Sequence, residues 1–308
     1  MNNAVSNKLV LVLGGTGNQG GSVARELLSH GYGVRILTRN PDSDAALSIK
    51  NAGAEVFRGD LSQPSSLEKA AAGVNAAFSV QFADAKDVTV EKRNAIAFVE
   101  TISKAGVRQV VHTSVNGSNK FPRWDKYESH TKYMNQKYEI EELFRNGGFD
   151  SWTILHPVYF FENFAERFAW FMNPELKDGV IFSAIKPEIR MDMNCSEDTA
   201  AFARAAFDDP EGYNKKDIDL ASDSLTMGEV AEILSRVKGK KVSSVYVSHE
   251  EAIKRGLHPG TVASHDKMND IGYQTDFEAL KKYGIPLTSF ETWALRHKDE
   301  IIVNEARS

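Results

Sequence analysis

Two hydrophobic periods alternate along the first half of the chain. Leu9 to Leu13 is a continuous apolar run, short enough for a strand buried on both faces. Val23, Leu27 and Leu28 then recur at helical spacing. The pattern repeats through a strand at Val34–Thr38, a short helix opening at Pro41-Asp42, and a strand at Glu55–Phe57. Ser65 and Glu68 have capping-box spacing and are expected to open the next helix. A strand at Ala76–Val80 and a helix from Val88 to Ala105 follow. Then come a strand at Gln109–Ser114, a helix at Ser129–Arg145 and a strand at Ser151–Leu155, stopped by Pro157. Strands that return in parallel through right-handed helical crossovers predict an α/β fold. We expect a Rossmann-type doubly wound parallel sheet over 1–157.

The pattern changes after Pro157. Residues 174–195 read as short irregular pieces, with Pro174, Gly179 and Pro187. Ser196-Glu197-Asp198 opens a helix, Ile218–Leu220 reads as a strand, and Thr226–Val237 is amphipathic. Val242–Val247 alternates like a strand, and Thr288–Ile301 predicts a last helix. Residues 158–308 are expected to form a smaller C-terminal α/β lobe, partly interleaved with the sheet and covering one side of its ligand cleft.

The first strand runs directly into Gly14-Gly15-Thr16-Gly17-Asn18-Gln19-Gly20-Gly21. Glycine at 14 and 17 permits a sharp turn and lets a ligand approach the backbone, while glycine at 20 lets the helix pack close to the strand. The helix start offers free N–H groups and a positive dipole end, which suit a pyrophosphate. The second strand ends at Arg39, where domains that prefer NAD carry an acid for the ribose hydroxyls. A charge-assisted hydrogen bond from arginine to a 2′-phosphate contributes about 1.5–3 kcal/mol, roughly tenfold to a hundredfold in affinity. NADP(H) is therefore the expected cofactor; the plain alternative is a solvated arginine. Asp60 and Leu61 fall at the carboxyl edge of the third strand and could contact adenine, although Asp60 would equally suit a turn. Tyr133 and Lys137 lie one helical turn apart, with Ser114 ending the preceding strand. His156, Tyr159, Phe160, Phe161, Phe164 and Trp170 could wall an apolar site or simply be core, and His156 could donate a proton or be structural.

Composition narrows the classes. The chain has 308 residues, 42% of them hydrophobic, which suffices for a sizeable core in one or two domains. Net charge is -5 with no basic block, which argues against direct nucleic-acid binding. Cys195 is the only cysteine, so no intramolecular disulfide or cysteine-cluster metal site is expected, and the histidines show no ligand spacing. No run reaches membrane-spanning length and Met1–Asn7 lacks a signal h-region, so the expected location is cytoplasmic.

Gly14 to Gly21, Thr38-Arg39-Asn40-Pro41, Gly59-Asp60 and Phe160-Phe161-Glu162-Asn163 resemble the NmrA-like family, atypical short-chain dehydrogenase/reductases. The resemblance runs from Lys8 to the last helix, where Leu287–Lys298 also looks like the family's ending. It implies NADP(H) held by Gly14, Gly15, Thr16, Gly17, Asn18 and Gln19, with Arg39 on the 2′-phosphate. It implies Asp60 and Leu61 near adenine, Gln81 and Phe82 at the fourth strand edge, and Lys137 near the nicotinamide ribose. The motif after the sixth strand implies cofactor contacts from Phe160, Phe161 and Asn163; one extra residue after Pro157 lets Tyr159 take the place of Phe160. Arg93 matches only by its place in the long helix.

Sensor-type relatives tend to lack the reductase tyrosine, whereas this chain keeps Tyr133, Lys137 and Ser114. By analogy with catalytic short-chain enzymes, Tyr133 would protonate the substrate oxygen, Lys137 would lower its pKa and Ser114 would orient the carbonyl. Two readings follow. One is an NADPH-dependent reductase of a quinone, carbonyl or activated alkene. The other is a non-catalytic redox sensor whose ligand shifts a conformational or oligomeric equilibrium and regulates a protein partner. For the sensor, the loop Asn116–Ser129, with Trp124, would be the mobile element. A homodimer remains an open assembly.

Overall fold

A computed structural model describes residues 8–82, 87, 89–120 and 128–304, the side chains of 128–130 excepted. Trp124 and the rest of residues 121–127, half of the loop expected to move, lie outside the described residues. In chain order the elements are β1 (Leu9–Val12), α1 (Asn18–Ser29), β2 (Gly33–Thr38), α2 (Asp44–Asn51), β3 (Glu55–Arg58), α3 (Pro64–Ala71), β4 (Ala76–Val80), α4 (Thr89–Lys104), β5 (Gln109–Thr113), α5 (Glu128–Arg145) and β6 (Ser151–Pro157). They continue as β7 (Tyr159–Phe160), α6 (Glu166–Met172), β8 (Val180–Ser183), β9 (Met191–Asn194), α7 (Ser196–Asp208), β10 (Lys216–Leu220), β11 (Asp223–Leu225), α8 (Met227–Lys238), β12 (Ser243–Tyr246), α9 (His249–Lys254), α10 (Pro259–Ile271), α11 (Phe277–Lys281) and α12 (Phe290–Arg296).

The chain divides into two units that are not contiguous in sequence. The first comprises residues 1–119, 135–156 and 199–218; the second comprises 120–134, 157–198 and 219–308. The boundary expected at 157 thus marks one crossing among several.

The first unit is built on a seven-stranded sheet ordered β10-β6-β5-β4-β1-β2-β3. The pairs β1–β2, β2–β3, β1–β4, β4–β5 and β5–β6 are all parallel. Strand order reverses between β1 and β4, which is the switch point of a doubly wound sheet. Both sheet faces are covered by helices, so β4 and β5 are buried along their whole length. Leu11, Phe98, Ile102, Ile140 and Phe144 belong to the apolar layer under α4 and α5.

The second unit contains a three-stranded sheet, β11-β9-β7, and the pair β12-β8. Its core holds Phe161, Phe164, Met193, Val230, Leu234, Phe290 and Trp293. Phe161 meets Phe290 edge-on at 5.1 Å between centroids, and Phe290 stacks on Trp293 at 5.9 Å. Phe161 and Phe164 have no exposed surface, so both are core rather than wall. Trp170 is 72% exposed, and its indole N–H donates to Arg167 O.

Several local expectations are corrected. Ser65 does not cap α3: the cap is Gln63 and Pro64 occupies the first turn. Proline fixes a helical φ and lacks the N–H that a cap would satisfy, so the helix starts before Ser65. A true capping box closes Thr226 on Glu229 at the start of α8. The helix expected from Pro41 starts at Asp44, because the Ser43 hydroxyl accepts from the Ala46 N–H. Residues 174–195 contain β8 and β9 rather than irregular chain alone. The last helix covers only Phe290–Arg296, and α9 to α11 were not anticipated.

Candidate functional site

The loops at the carboxyl ends of β1 to β4 enclose a cleft of about 510 Å³ in the first unit. That volume lies within the range of about 300–1,000 Å³ typical of ligand sites. Gly14, Thr16 and Gly17 line one side; Thr38, Arg39, Asn40 and Ser43 line another; Asp60, Leu61, Gln81 and Phe82 complete the rim.

The glycine loop is shaped by two constraints. Gly14 has φ +64°, a left-handed conformation, and its carbonyl accepts from the Gly17 N–H at 2.7 Å. A Cβ on Gly20 would lie 2.3 Å from Leu13 O and 2.4 Å from Gly14 O, both backbone atoms that cannot give way. Helix α1 is thereby pressed against the end of β1, with its first-turn N–H groups at the loop. The Gln19 side chain turns away from this loop: its Oε1 accepts from Thr113 Oγ1 at 2.8 Å and ties α1 to β5. Gly15 is buried against Ile36, and neither it nor Asn18 is among the residues lining the cleft.

Arg39 is exposed at the rim. The Asp60 carboxyl is held below its usual range, chiefly by hydrogen bonds from Ser62 N and Oγ, with Arg39's charge a smaller contribution against burial. Phe82 is 63% exposed, and its ring lies over Gly14. The Gln81 amide is buried and donates to Ser79 Oγ at 3.1 Å. Asn40, Ser43, Val90 and Asn94 also line the cleft and were missed. Ser43 was readable as a helix cap, and Val90 and Asn94 as one helical turn.

The three residues of the expected catalytic set sit in different surroundings. Tyr133 is 40% exposed on α5. Lys137 is buried and its ammonium pairs with Glu91, a carboxylate of α4 with no exposed surface. Gln136 also donates to Glu91, at 2.7 Å. Ser114 Oγ donates to Glu141 Oε1 at 2.6 Å. Ser118, His156 at 3.1 Å and Arg145 at 2.9 Å converge on the same buried carboxylate. Burial raises the pKa of Glu141, but hydrogen bonds and charge from His156, Ser114 and Ser118 outweigh it and hold the group down at about 2. His156 therefore belongs to a structural network. Arg93 bonds Thr89 and Asp87 at an exposed position.

In the second unit, Tyr159 and Phe160 pair with Met193 and Asn194 of β9 and are half-buried. The Tyr159 hydroxyl accepts from Asn173 at 3.0 Å, and burial pushes its pKa up. Asn163 is half-buried, and its carbonyl also accepts from Asn173. Phe161, expected at the cofactor, presents no surface to a ligand. Glu162 accepts from the Ser196 N–H and hydroxyl and so anchors the start of α7. Among the described residues no group of His, Cys, Asp and Glu is arranged to hold a metal, and no helix is long and apolar enough to cross a membrane.

The sequence and fold match known proteins. The model of the NmrA-like family matches residues 6–284. An NmrA-like family domain-containing oxidoreductase of Malbranchea aurantiaca is 30% identical over 258 residues, covering 77% of this chain and 75% of that protein. The triphenylmethane reductase of Citrobacter sp., solved with NADP(H), superposes with TM-score 0.75 at 22% identity, covering 94% and 99% of the two chains. NmrA, a negative transcriptional regulator solved with NADP, superposes with TM-score 0.74 at 17% identity, covering 96% and 97%. With its family model matched over most of its length, and with the glycine loop on the cleft, the chain belongs to the NmrA-like family.

Proposed function

We propose that the protein is an NADPH-dependent reductase of a small-molecule quinone, carbonyl or activated alkene. The observation that carries this reading is the cleft at the strand-order reversal, with a glycine loop on one side and Arg39, not an acid, ending β2. The residues present fit the dinucleotide. Backbone at Gly14, Thr16 and Gly17 is open to a pyrophosphate, and Arg39 with Asn40 offers donors for a 2′-phosphate. Asp60 and Leu61 would border the adenine, and Gln81 and Phe82 the central part. Lys137, which does not line this cleft, is proposed for the nicotinamide ribose on the family resemblance alone. NADPH, when bound, supplies the hydride. Tyr133 is proposed to supply the proton, with Lys137 and Ser114 the other members of the expected catalytic set. Tyr159, Phe160 and Asn163 are proposed as further cofactor contacts. The oxidoreductase relative and the neighbour solved with NADP(H) support the reading.

The test follows NADPH oxidation by purified protein with a panel of quinones, aldehydes and enones, beside Tyr133→Phe. Turnover that falls at least a hundredfold in the variant, with NADPH binding retained, would support the reading. Failure to bind NADPH would sink it.

A second reading, a redox sensor acting on a protein partner, draws on one observation. Lys137 and Ser114 are each engaged by a buried carboxylate, Glu91 and Glu141. A sensor predicts tight NADPH binding, no turnover across the panel and no effect of Tyr133→Phe.

A further inference from the structure

The core face of α4 is formed by Glu91, Ala95, Phe98, Val99 and Ile102. Val90 and Asn94, one turn apart, fall outside that face and line the cleft. Helix α3, which follows Asp60 and Leu61 in the chain, packs against α4, and Leu61 rests on the same apolar cluster as Leu67 of α3 and Phe98 of α4. Asn94 therefore belongs to the wall of the cleft that Asp60 and Leu61 form. Three carboxamides line the cleft, and two are engaged. Gln81 is buried and donates to Ser79 Oγ at 3.1 Å. Asn40 Oδ1 accepts from the Asp42 N–H at 3.2 Å. The Asn94 carboxamide is half-buried, and among the described residues no hydrogen bond takes up either end of it. Its charged neighbours on the cleft are one-sided: the Asp60 carboxylate can only accept, and the Arg39 guanidinium can only donate. A carboxamide does both, in one plane. Adenine presents the complementary pair, the N6 amino group beside N7, and asparagine singles out adenine in nucleic acids by this pairing.

We propose that Asn94 is a specificity-determining residue for the base of the cofactor, its carboxamide oxygen accepting from adenine N6 and its amide nitrogen donating to N7. The inference rests on the reading that this cleft holds NADP(H), and extends it from the phosphate to the base. Leu61 and Val90 supply apolar surface beside the ring. Hypoxanthine carries an oxygen where adenine carries the N6 amino group. Its edge then shows two acceptors, O6 and N7, and the carboxamide oxygen is left facing one of them without a hydrogen between.

The experiment titrates the full chain with NADPH and with its deaminated analogue, reduced nicotinamide hypoxanthine dinucleotide phosphate, and follows nicotinamide fluorescence rather than turnover. The wild type should bind NADPH about fivefold to a hundredfold more tightly than the analogue, the range of one bidentate amide–base contact. In Asn94→Leu and Asn94→Ala the ratio should fall to within about twofold, mainly through weaker binding of NADPH. The two side chains differ in bulk, so that filling or emptying the cleft does not pass for loss of the contact. Both variants should keep the wild-type preference between NADPH and NADH within about threefold, because Arg39 is untouched. A base preference that survives in both variants would overturn the proposal and leave the base to Asp60. So would a wild type that binds NADPH and the analogue within about twofold of each other. Loss of the preference between NADPH and NADH along with the base preference would also overturn it, as the mark of a disturbed cleft. Each of these results leaves the dinucleotide reading standing. Failure of the wild type to bind NADPH would overturn both.

Discussion

At the scale of single residues, the informative positions are those where a side chain or its absence has no substitute. Arg39 is one. It stands exposed at the rim, beside a neighbouring Asp60 kept ionised by Ser62. If it holds a 2′-phosphate, Arg39→Ala should weaken NADPH about tenfold to a hundredfold in a fluorescence titration, the size of one charge-assisted contact. NADH should change less than about threefold. Equal losses for both dinucleotides would mean that Arg39 does not read the phosphate. Gly20 is the other. The atoms facing its missing Cβ are the carbonyls of Leu13 and Gly14. Gly20→Ala must therefore push α1 off β1, and should lower both Tm and NADPH affinity. A variant with wild-type Tm and affinity would show that the helix can shift without consequence.

At the scale of elements, what the sequence made legible depended on period and distance. In the first unit β1 and β3 have only four residues each, but its strands alternate with helices of eight residues or more. The two periods stand out against each other, and the glycine loop lies between two of these elements. The second unit's strands are short: β11 has three residues, and β8, β9 and β12 have four each. Strand β8 pairs with β12 some sixty residues away, Val180 opposite Ser243, so nothing local announces it. Long-range partners were equally silent. Tyr133 and Lys137 were visible as a helical pair, but the carboxylate that takes up Lys137 is 46 positions away on α4. Cap signals failed in an instructive way, since Ser65–Glu68 and Thr226–Glu229 have the same spacing and only the second is a box. Proline at 64 decides the difference. Thr226→Ala is accordingly expected to cost about 1 kcal/mol in urea unfolding, with Thr226→Ser nearly neutral. Ser65→Ala should stay within about 0.5 kcal/mol, as a surface position without a cap. A loss at Ser65 equal to that at Thr226 would contradict the assignment of Gln63 as the α3 cap.

At the scale of the whole molecule, buried titratable groups set the response to acid. His112, in the first unit, is stacked on Phe144 at 4.2 Å, and burial pushes it down to about 3, with Glu141 opposing. His265, in the second unit, is pushed down to about 4, again chiefly by burial. In the unfolded chain both would take up protons near pH 6.5. The unfolded state therefore binds more protons than the native state below that pH, and stability must fall as pH falls. Each such group contributes up to about 1.4 kcal/mol per pH unit in the window between its unfolded and folded values. Glu141 adds to the same trend in a lower window. Its pKa of about 2 lies below the ordinary 4.5, so its contribution is present above 4.5 and is lost as pH falls toward 2. His297 acts oppositely. Burial lowers its pKa, but Glu300 and Glu197 outweigh that and raise it, so its contribution is fully present below the unfolded value and is lost as pH rises through the folded one. Below about pH 6.5 His297 is protonated in both states and offers no offset, so the two buried histidines leave a net loss there. Urea midpoints measured from pH 7.5 to 5 should change little above about pH 6.5 and decline steadily below it. His112→Phe removes one titrating group while keeping an aromatic on Phe144, and should flatten that slope by about one proton. A wild-type midpoint constant over this range would mean that His112 and His265 titrate alike in the folded and unfolded chain, and that neither is held neutral by burial.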